Sequence, residues 1–373
     1  MKRIILVGGG SGGHFYPLIA VAEKLHTLKL QGYKLELYYF GPEQYDEVAL
    51  RENEITFVQC SAGKKRKYFS IRNIVDLFKI ARGMYTAIIK LYFIYPDVIF
   101  SKGSYTSIPV VIAGFLLRIP IVIHESDARA GSANKFASRF ARYIAISFDD
   151  AASYFPAEKT ALIGIPLRAS FFETEANPLA ALGLPNTKPL LFVTGGSQGA
   201  SRLNDLILKS LDKILPAFTV LHQTGTENEK DMEATAASLI TDSSLLEHYF
   251  VKGTLSANEM SSALSAAAIV VSRAGTGTIF EIAQKGKPSI LIPIPETISH
   301  DQKTNAYAYA RSGAASVLEE HNLTSGLLAS EISRIIGDQN VYTAMSNAAA
   351  TFFKADAAQK LTDTLIGIAQ EHA

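Results

Sequence analysis

The sequence has almost no cysteine, no long apolar run and next to no net charge, and each shortage removes a class of protein. Cys60 is the sole cysteine, so no disulfide closes within the chain, and a reducing compartment suits it. The most apolar stretches are interrupted by Lys90, Pro96 and Asp97 or end at Arg118, short of a membrane span. Only four apolar residues separate Met1-Lys2-Arg3 from Gly8, too few for the core of a signal peptide. A formal net charge of +1 gives no general pull toward acidic partners. At 373 residues and 48% apolar, the chain can fill two domains of ordinary size.

What is present is glycine at the ends of buried strands. Residues 268–271 make a short β-branched run of the kind found in buried parallel strands. A small-residue loop, 272–278, leads into an apolar-periodic helix, 279–284, stopped by Gly286 and Pro288. A second strand, 289–293, ends in a polar loop with His300, Asp301 and Gln302. A strand, a glycine turn and a helix N-terminus make an anion site, because free backbone N–H groups and the helix dipole point into the loop. Arg273 adds a positive charge, and Glu281, about one turn into the helix, is placed to accept both hydroxyls of a ribose. The stretch reads as a nucleotide-diphosphate site rather than an ordinary βα turn with a solvent-facing Glu.

The same construction opens the chain. A strand over 2–7 runs into Gly8, Gly10 and Gly13, spaced G-x-G-x-x-G, and then a helix. A dinucleotide site needs an acid at the tip of the second strand. That strand, 35–40, ends at Gly41-Pro42 with Glu43 beyond the turn, so the dinucleotide reading is weak. His14, at the mouth of the loop, is a natural general base. Further strands over 97–101 and 120–124 lead into Lys102-Gly103-Ser104-Tyr105 and into Glu125, Ser126 and Asp127. Carboxyl ends of parallel strands are where ligands bind. His124 and Glu125 find no third ligand at recognisable spacing, so no metal site is expected.

The pattern restarts after Gly164-Ile165-Pro166, read as a hinge, and a strand over 190–193 enters Gly195-Gly196-Ser197-Gln198-Gly199-Ala200. The expected class is α/β, with two doubly wound Rossmann-like domains, 1–163 and 164–343, facing across a cleft. An Ala-rich helix over about 344–369 is expected to pack back on the first domain.

Charge is uneven in one place. Lys64, Lys65, Arg66, Lys67, Arg72, Lys79, Arg82 and Lys90 face a single acid, Asp76. Apolar residues Ile71, Ile74, Val75, Phe78, Tyr85, Ile88, Ile89 and Tyr92 interleave as a helical stripe, with Leu77, Ile80, Met84 and Leu91 off it. Two readings stand: a core helix with a solvated basic edge, or a basic-rimmed apolar patch for an anionic membrane surface. Nucleic acid would not explain the excess apolar surface and is not expected as a partner.

Taken together, GGGSGGHFYP at 8–17, HES at 124–126, SANK at 132–135, GIPLR at 164–168, GGSQGASRLN at 195–204, RAGTGTIFEIAQKGKPSILIPIP at 273–295 and DQKTNA at 301–306 resemble the MurG family of GT-B glycosyltransferases. The resemblance spans nearly the whole chain. It implies an inverting transfer of N-acetylglucosamine from UDP-N-acetylglucosamine to a polyprenyl-diphosphate-linked muramyl-peptide acceptor (lipid I, giving lipid II), without metal or other cofactor, at the cytoplasmic face of the membrane. It also assigns the acceptor to the first domain and the donor to the second.

By the same resemblance, donor contacts fall on Ser11, Gly12, Gly13, Arg168, Ser197 and Gln302, and on Thr276, Gly277, Thr278, Ile279, Phe280 and Glu281. Asp127, Asn134, Gln198 and Arg273 complete the substrate-binding set. The candidate base is His14, with Glu125 and Asp127 as alternates. Asp127 stands where the family usually has Asn, Ile165 where Asn is usual, and Asp301 where His or Gln is commoner. Two alternatives stay open: a GT-B relative acting on another lipid acceptor, and a nucleotide-sugar binder without turnover.

Overall fold

The runs that precede the glycine loops put successive side chains on opposite faces, and both faces are buried, which requires parallel sheets covered on two sides. A computed structural model describes residues 1–62, 72–173, 175–196, 199–297 and 300–371. Lys64, Lys65, Arg66, Lys67, Ser197 and Gln198 lie outside the described residues.

The first sheet contains β1 (Lys2–Val7), β2 (Leu35–Gly41), β3 (Ile55–Gln59), β4 (Val98–Ser101), β5 (Ile121–Glu125), β6 (Tyr143–Ile146) and β7 (Thr160–Leu162). The second contains β8 (Leu190–Thr194), β9 (Thr219–Gln223), β10 (Tyr249–Lys252), β11 (Ala267–Ser272), β12 (Ser289–Leu291) and β13 (Ala315–Val317). Their orders are β3-β2-β1-β4-β5-β6-β7 and β10-β9-β8-β11-β12-β13, with every pairing parallel. The expected doubly wound α/β class is what forms. Strand order reverses beside β1 and again beside β8, and at such switch points a crevice opens at the carboxyl ends. Both switch points are where the glycine loops sit.

The chain divides into two units, Met1–Ala169 with Lys354–Ala373, and Ser170–Phe353. In the first, Ile4 and Leu6 pack toward Leu18 and Val21 of the Gly12–Leu30 helix and toward Leu361, Leu365 and Ile368. Ile5 and Val7 pack on the other face with Ala87, Leu91 and Val110. In the second, Leu191, Val193, Ile269 and Val271 share a core with Leu203, Ile207 and Ile332.

Two expectations change. The single C-terminal helix over about 344–369 is two helices, Gln339–Phe352 and Ala357–Glu371. Phe352 sets its ring against Phe280 and Tyr309 of the second unit, whereas Leu361, Leu365 and Ile368 fill the core of the first. The break lets one stretch of chain serve both cores. The Arg72–Ile94 helix also faces differently from its predicted stripe: Gly83, Ala87 and Leu91, one turn apart, are buried, while Tyr85 and Tyr92 are exposed. A Cβ at Gly83 would lie 1.9 Å from the Ser61 carbonyl oxygen, so only glycine allows this approach. No described helix is long and apolar enough to cross a membrane.

Candidate active site

At the first switch point, β1 feeds Gly8 to Ser11 into the N-terminus of the Gly12–Leu30 helix. Ser11 is the N-cap, yet its hydroxyl makes no capping bond and the first turn carries no acid. The leading N–H groups are thus left for an external anion. The His14 side chain sits on this first turn, and its Nδ1 lies 3.3 Å from the carbonyl oxygen of Lys102, just past β4. A carbonyl only accepts, so Nδ1 carries the proton and Nε2 keeps the lone pair. Burial, with Lys102 adding to it, lowers the imidazole pKa to about 4, while Asp127 acts in the opposite sense. His14 is therefore a neutral proton acceptor at neutral pH. Arg168 lies over the Tyr16 ring at 4.1 Å, which places its charge against the same helix terminus.

The loop after β5 is built by Glu125. Its carboxylate accepts from the backbone N–H of Asp127 at 3.0 Å, that of Gly131 at 2.9 Å and the side-chain amide of Asn134 at 3.1 Å. Burial is the main cause that raises its pKa. Both oxygens are engaged inside the protein, so Glu125 reads as the holder of the loop that carries Asp127, rather than as an alternate base. Asn134 is likewise buried, and its amide also donates to the His124 carbonyl at 3.1 Å. His124 is fully buried on Gly164 at 2.8 Å, with a pKa well below the ordinary value because of burial. Asp127 alone among these carboxylates is partly exposed.

At the second switch point, β11 leads through Arg273 to Gly275 into the Thr276–Gln284 helix. Gly275 is the N-cap, no side chain caps the helix, and a Cβ at Gly275 or Gly277 would meet nothing within 4 Å. Open space thus stands over uncapped N–H groups, the geometry that takes a phosphate. Gln302 joins the loops after β11 and β12, its Oε1 accepting from Ala274 N–H at 3.2 Å and Ile294 N–H at 3.3 Å. Thr276 is held by Asn305 at 3.2 Å. Thr278 and Glu281 are partly exposed on the helix.

Three of the expected contact residues are placed differently from a free side-chain contact. Ile279 and Phe280 are fully buried core side chains, so they offer only backbone to a ligand. Arg273 is not a free cation at the loop. Its guanidinium is buried, donates to the Ile292 carbonyl at 3.0 Å and pairs with Glu320 at 2.7 Å; Glu320 also binds Arg202 at 2.7 Å. Its charge is neutralised by a partner 47 residues away that no local pattern marked. Gly199 ends the loop after β8 at φ +72°, where a Cβ would sit 2.1 Å from the Thr224 carbonyl oxygen.

Residues 4–146 match the glycosyltransferase family 28 N-terminal domain and residues 190–361 the glycosyltransferase family 28 C-terminal domain. Over 345 residues, 92% of this chain and 94% of the relative, the chain is 35% identical to a UDP-N-acetylglucosamine--N-acetylmuramyl-(pentapeptide) pyrophosphoryl-undecaprenol N-acetylglucosamine transferase 3 of Bacillus thuringiensis (strain Al Hakam). It is 33% identical over 375 residues, 100% of both chains, to the like-named transferase of Clostridium kluyveri. Its fold matches the crystal structure of Acinetobacter baumannii MurG with a TM-score of 0.74 at 23% identity, over 98% of this chain and 100% of that one. The two domain matches and the full-length relatives agree: the chain belongs to glycosyltransferase family 28.

Proposed function

We propose that the chain transfers N-acetylglucosamine from UDP-N-acetylglucosamine to the muramyl sugar of a polyprenyl-diphosphate-linked muramyl peptide, converting lipid I to lipid II. The observation that carries the reading is His14, neutral and locked by the Lys102 carbonyl into the tautomer with Nε2 as acceptor. The acceptor hydroxyl oxygen bonds to the anomeric carbon of the donor sugar. The bond from that carbon to the diphosphate oxygen breaks, its electron pair leaves on UDP, and the hydroxyl proton passes to Nε2 of His14. The Thr276–Gln284 N-terminus holds the diphosphate, with Glu281 on the ribose and the N–H groups stabilising the leaving charge. Ser11, Gly12, Gly13, Arg168 and Asp127 serve the sugars and the acceptor. The names of the full-length relatives support the choice of donor and acceptor.

The acceptor's lipid tail stays in a bilayer, so the first unit needs a surface for an anionic membrane. Tyr85, Tyr92, Phe93 and Tyr95 are strongly exposed beside exposed Arg82 and Lys90, with Phe115 and Leu116 exposed on the neighbouring Ile108–Leu116 helix. Aromatic and aliphatic side chains rimmed by cations suit a headgroup boundary. Assays with UDP-N-acetylglucosamine test the function: transfer to a short-chain lipid I analogue and none to diacylglycerol is expected. Transfer to diacylglycerol alone would replace lipid I as acceptor, and UDP binding without turnover on either would reduce the protein to a nucleotide-sugar binder.

A further inference from the structure

Two neighbouring carboxylates, Glu319 and Glu320, follow β13 and reach back to different parts of the second switch point. One oxygen of Glu320 takes the Arg273 guanidinium at 2.7 Å, and the other takes Arg202, on the Ser201–Leu208 helix, at 2.7 Å. The same Arg273 nitrogen, Nη1, donates to the Ile292 carbonyl at 3.0 Å and lies 3.5 Å from that of Pro293. Arg273 therefore ties the end of β11 to the end of β12 through a side chain only 9% exposed. Arg202 is 67% exposed, so solvent screens its half of the bridge and it contributes little. Glu319 accepts from the Tyr307 hydroxyl at 2.7 Å and pairs with Lys303 at 3.0 Å, both on the His300–Ala310 helix. That helix also carries Gln302, whose amide oxygen accepts from the N–H groups of Ala274 and Ile294. The two carboxylates thus hold both pieces that meet at the turn before Gly275, the Arg273 stem on one side and Gln302 on the other.

We propose that Glu320 is a positioning residue for the nucleotide-sugar donor: by holding Arg273 against the Ile292 carbonyl, it fixes the Ala274–Gly275 turn and so aims the N–H groups of the Thr276–Gln284 helix at the diphosphate, a role that rests on the UDP reading of that helix. A guanidinium cannot shed its proton to suit a buried site, so its only remedy there is a fixed anion. Removing one partner of such a pair leaves an uncompensated buried charge, which is far costlier than never having had the pair. Arg273 is one residue from Ala274 and two from the N-cap Gly275. A guanidinium that leaves for solvent therefore drags the turn with it and breaks the alignment that Gln302 supports from the other side. Backbone donors hold a phosphate only when their directions are set in advance, and a misplacement of about 1 Å costs up to about 100-fold.

The test uses the full-length chain and the variants Glu320→Ala, Arg273→Met and the two combined, with UDP binding by calorimetry and transfer from UDP-N-acetylglucosamine to a short-chain lipid I analogue. Glu320→Ala should raise the UDP Kd and the donor KM about 10- to 30-fold while the acceptor KM stays within about twofold. A merely structural loss would lower the melting temperature and the active fraction, and hence kcat, yet leave the UDP Kd and both KM values unchanged; that result overturns the proposal. The double variant, which removes both buried charges together, should bind UDP about fivefold more tightly than Glu320→Ala. Losses that simply multiply in the double variant also overturn it. If Glu320→Ala does not fold, Glu320→Gln decides, since it keeps the shape and one accepting oxygen but not the charge. It should weaken UDP binding about 3- to 10-fold, and undiminished affinity refutes the role. No UDP binding by the unaltered protein defeats the donor reading itself and this role with it, whereas UDP binding that ignores Glu320 defeats this role alone.

Discussion

Replacing His14 by Ala removes the proposed proton acceptor and leaves the uncapped helix at Gly275 untouched. With its pKa near 4, His14 is protonated in only about one molecule in 3,000 at pH 7.5, so the base is fully available. Loss of a general base costs about 100- to 10,000-fold in rate, or about 2.7–5.4 kcal/mol of transition-state stabilisation. UDP affinity should stay within about twofold, because the proposed diphosphate contacts come from backbone N–H groups of the other unit. The pH profile adds a sharper check. In the unaltered enzyme kcat/KM should be level from pH 8 to about 5 and fall only as pH approaches about 4, with circular dichroism following the fold. The assay is transfer of labelled N-acetylglucosamine to a short-chain acceptor, paired with calorimetry for UDP. An acid limb centred near 6.5, or a variant within threefold of the unaltered rate, refutes the reasoning.

Glu281→Ala removes the proposed acceptor of the ribose hydroxyls and should weaken UDP binding by about 1.5–3 kcal/mol; equal affinity by calorimetry in a folded variant removes that role. Replacing Tyr92 and Phe93 by Ser together with Lys64, Lys65, Arg66 and Lys67 by Ser should release the protein from anionic vesicles in co-sedimentation at low salt. Turnover of a soluble acceptor should survive, and undiminished sedimentation would show only a solvated helix edge. Acid should destabilise the fold in a defined window. His222 is fully buried against Tyr249 and Asn204 with a pKa lowered to about 3 by burial, and His14 sits near 4. The unfolded chain binds these protons below its ordinary pKa near 6.5 while the folded one does not, so unfolding free energy should fall from about pH 6.5 toward 3. Denaturant midpoints that match at pH 7.5 and 4.5 would contradict this, and His222→Gln should flatten the slope.

Some of this was legible in the chain alone. Buried parallel strands announce themselves as apolar runs, and β1, β2, β8 and β11 stand where residues 2–7, 35–40, 190–193 and 268–271 put them. The glycine loops were readable because backbone N–H groups can meet an anion only where no side chain intervenes, as at Gly275 and Gly277. Short, half-exposed β7 and the three-residue β13 carry too little pattern to be seen. What sequence could not settle depends on neighbours far along the chain. His14 and Lys102 are 88 residues apart, and only the reversal of strand order beside β1 makes them partners. Arg273 looked like a free cation until Glu320 neutralised it. No proline or glycine marks the break between Gln339–Phe352 and Ala357–Glu371, because two separate cores, not local propensity, divide that helix. Local chemistry wrote the strands and the loops, while burial against distant residues decided which charges are neutralised, which imidazole is held neutral and which face of a helix meets solvent.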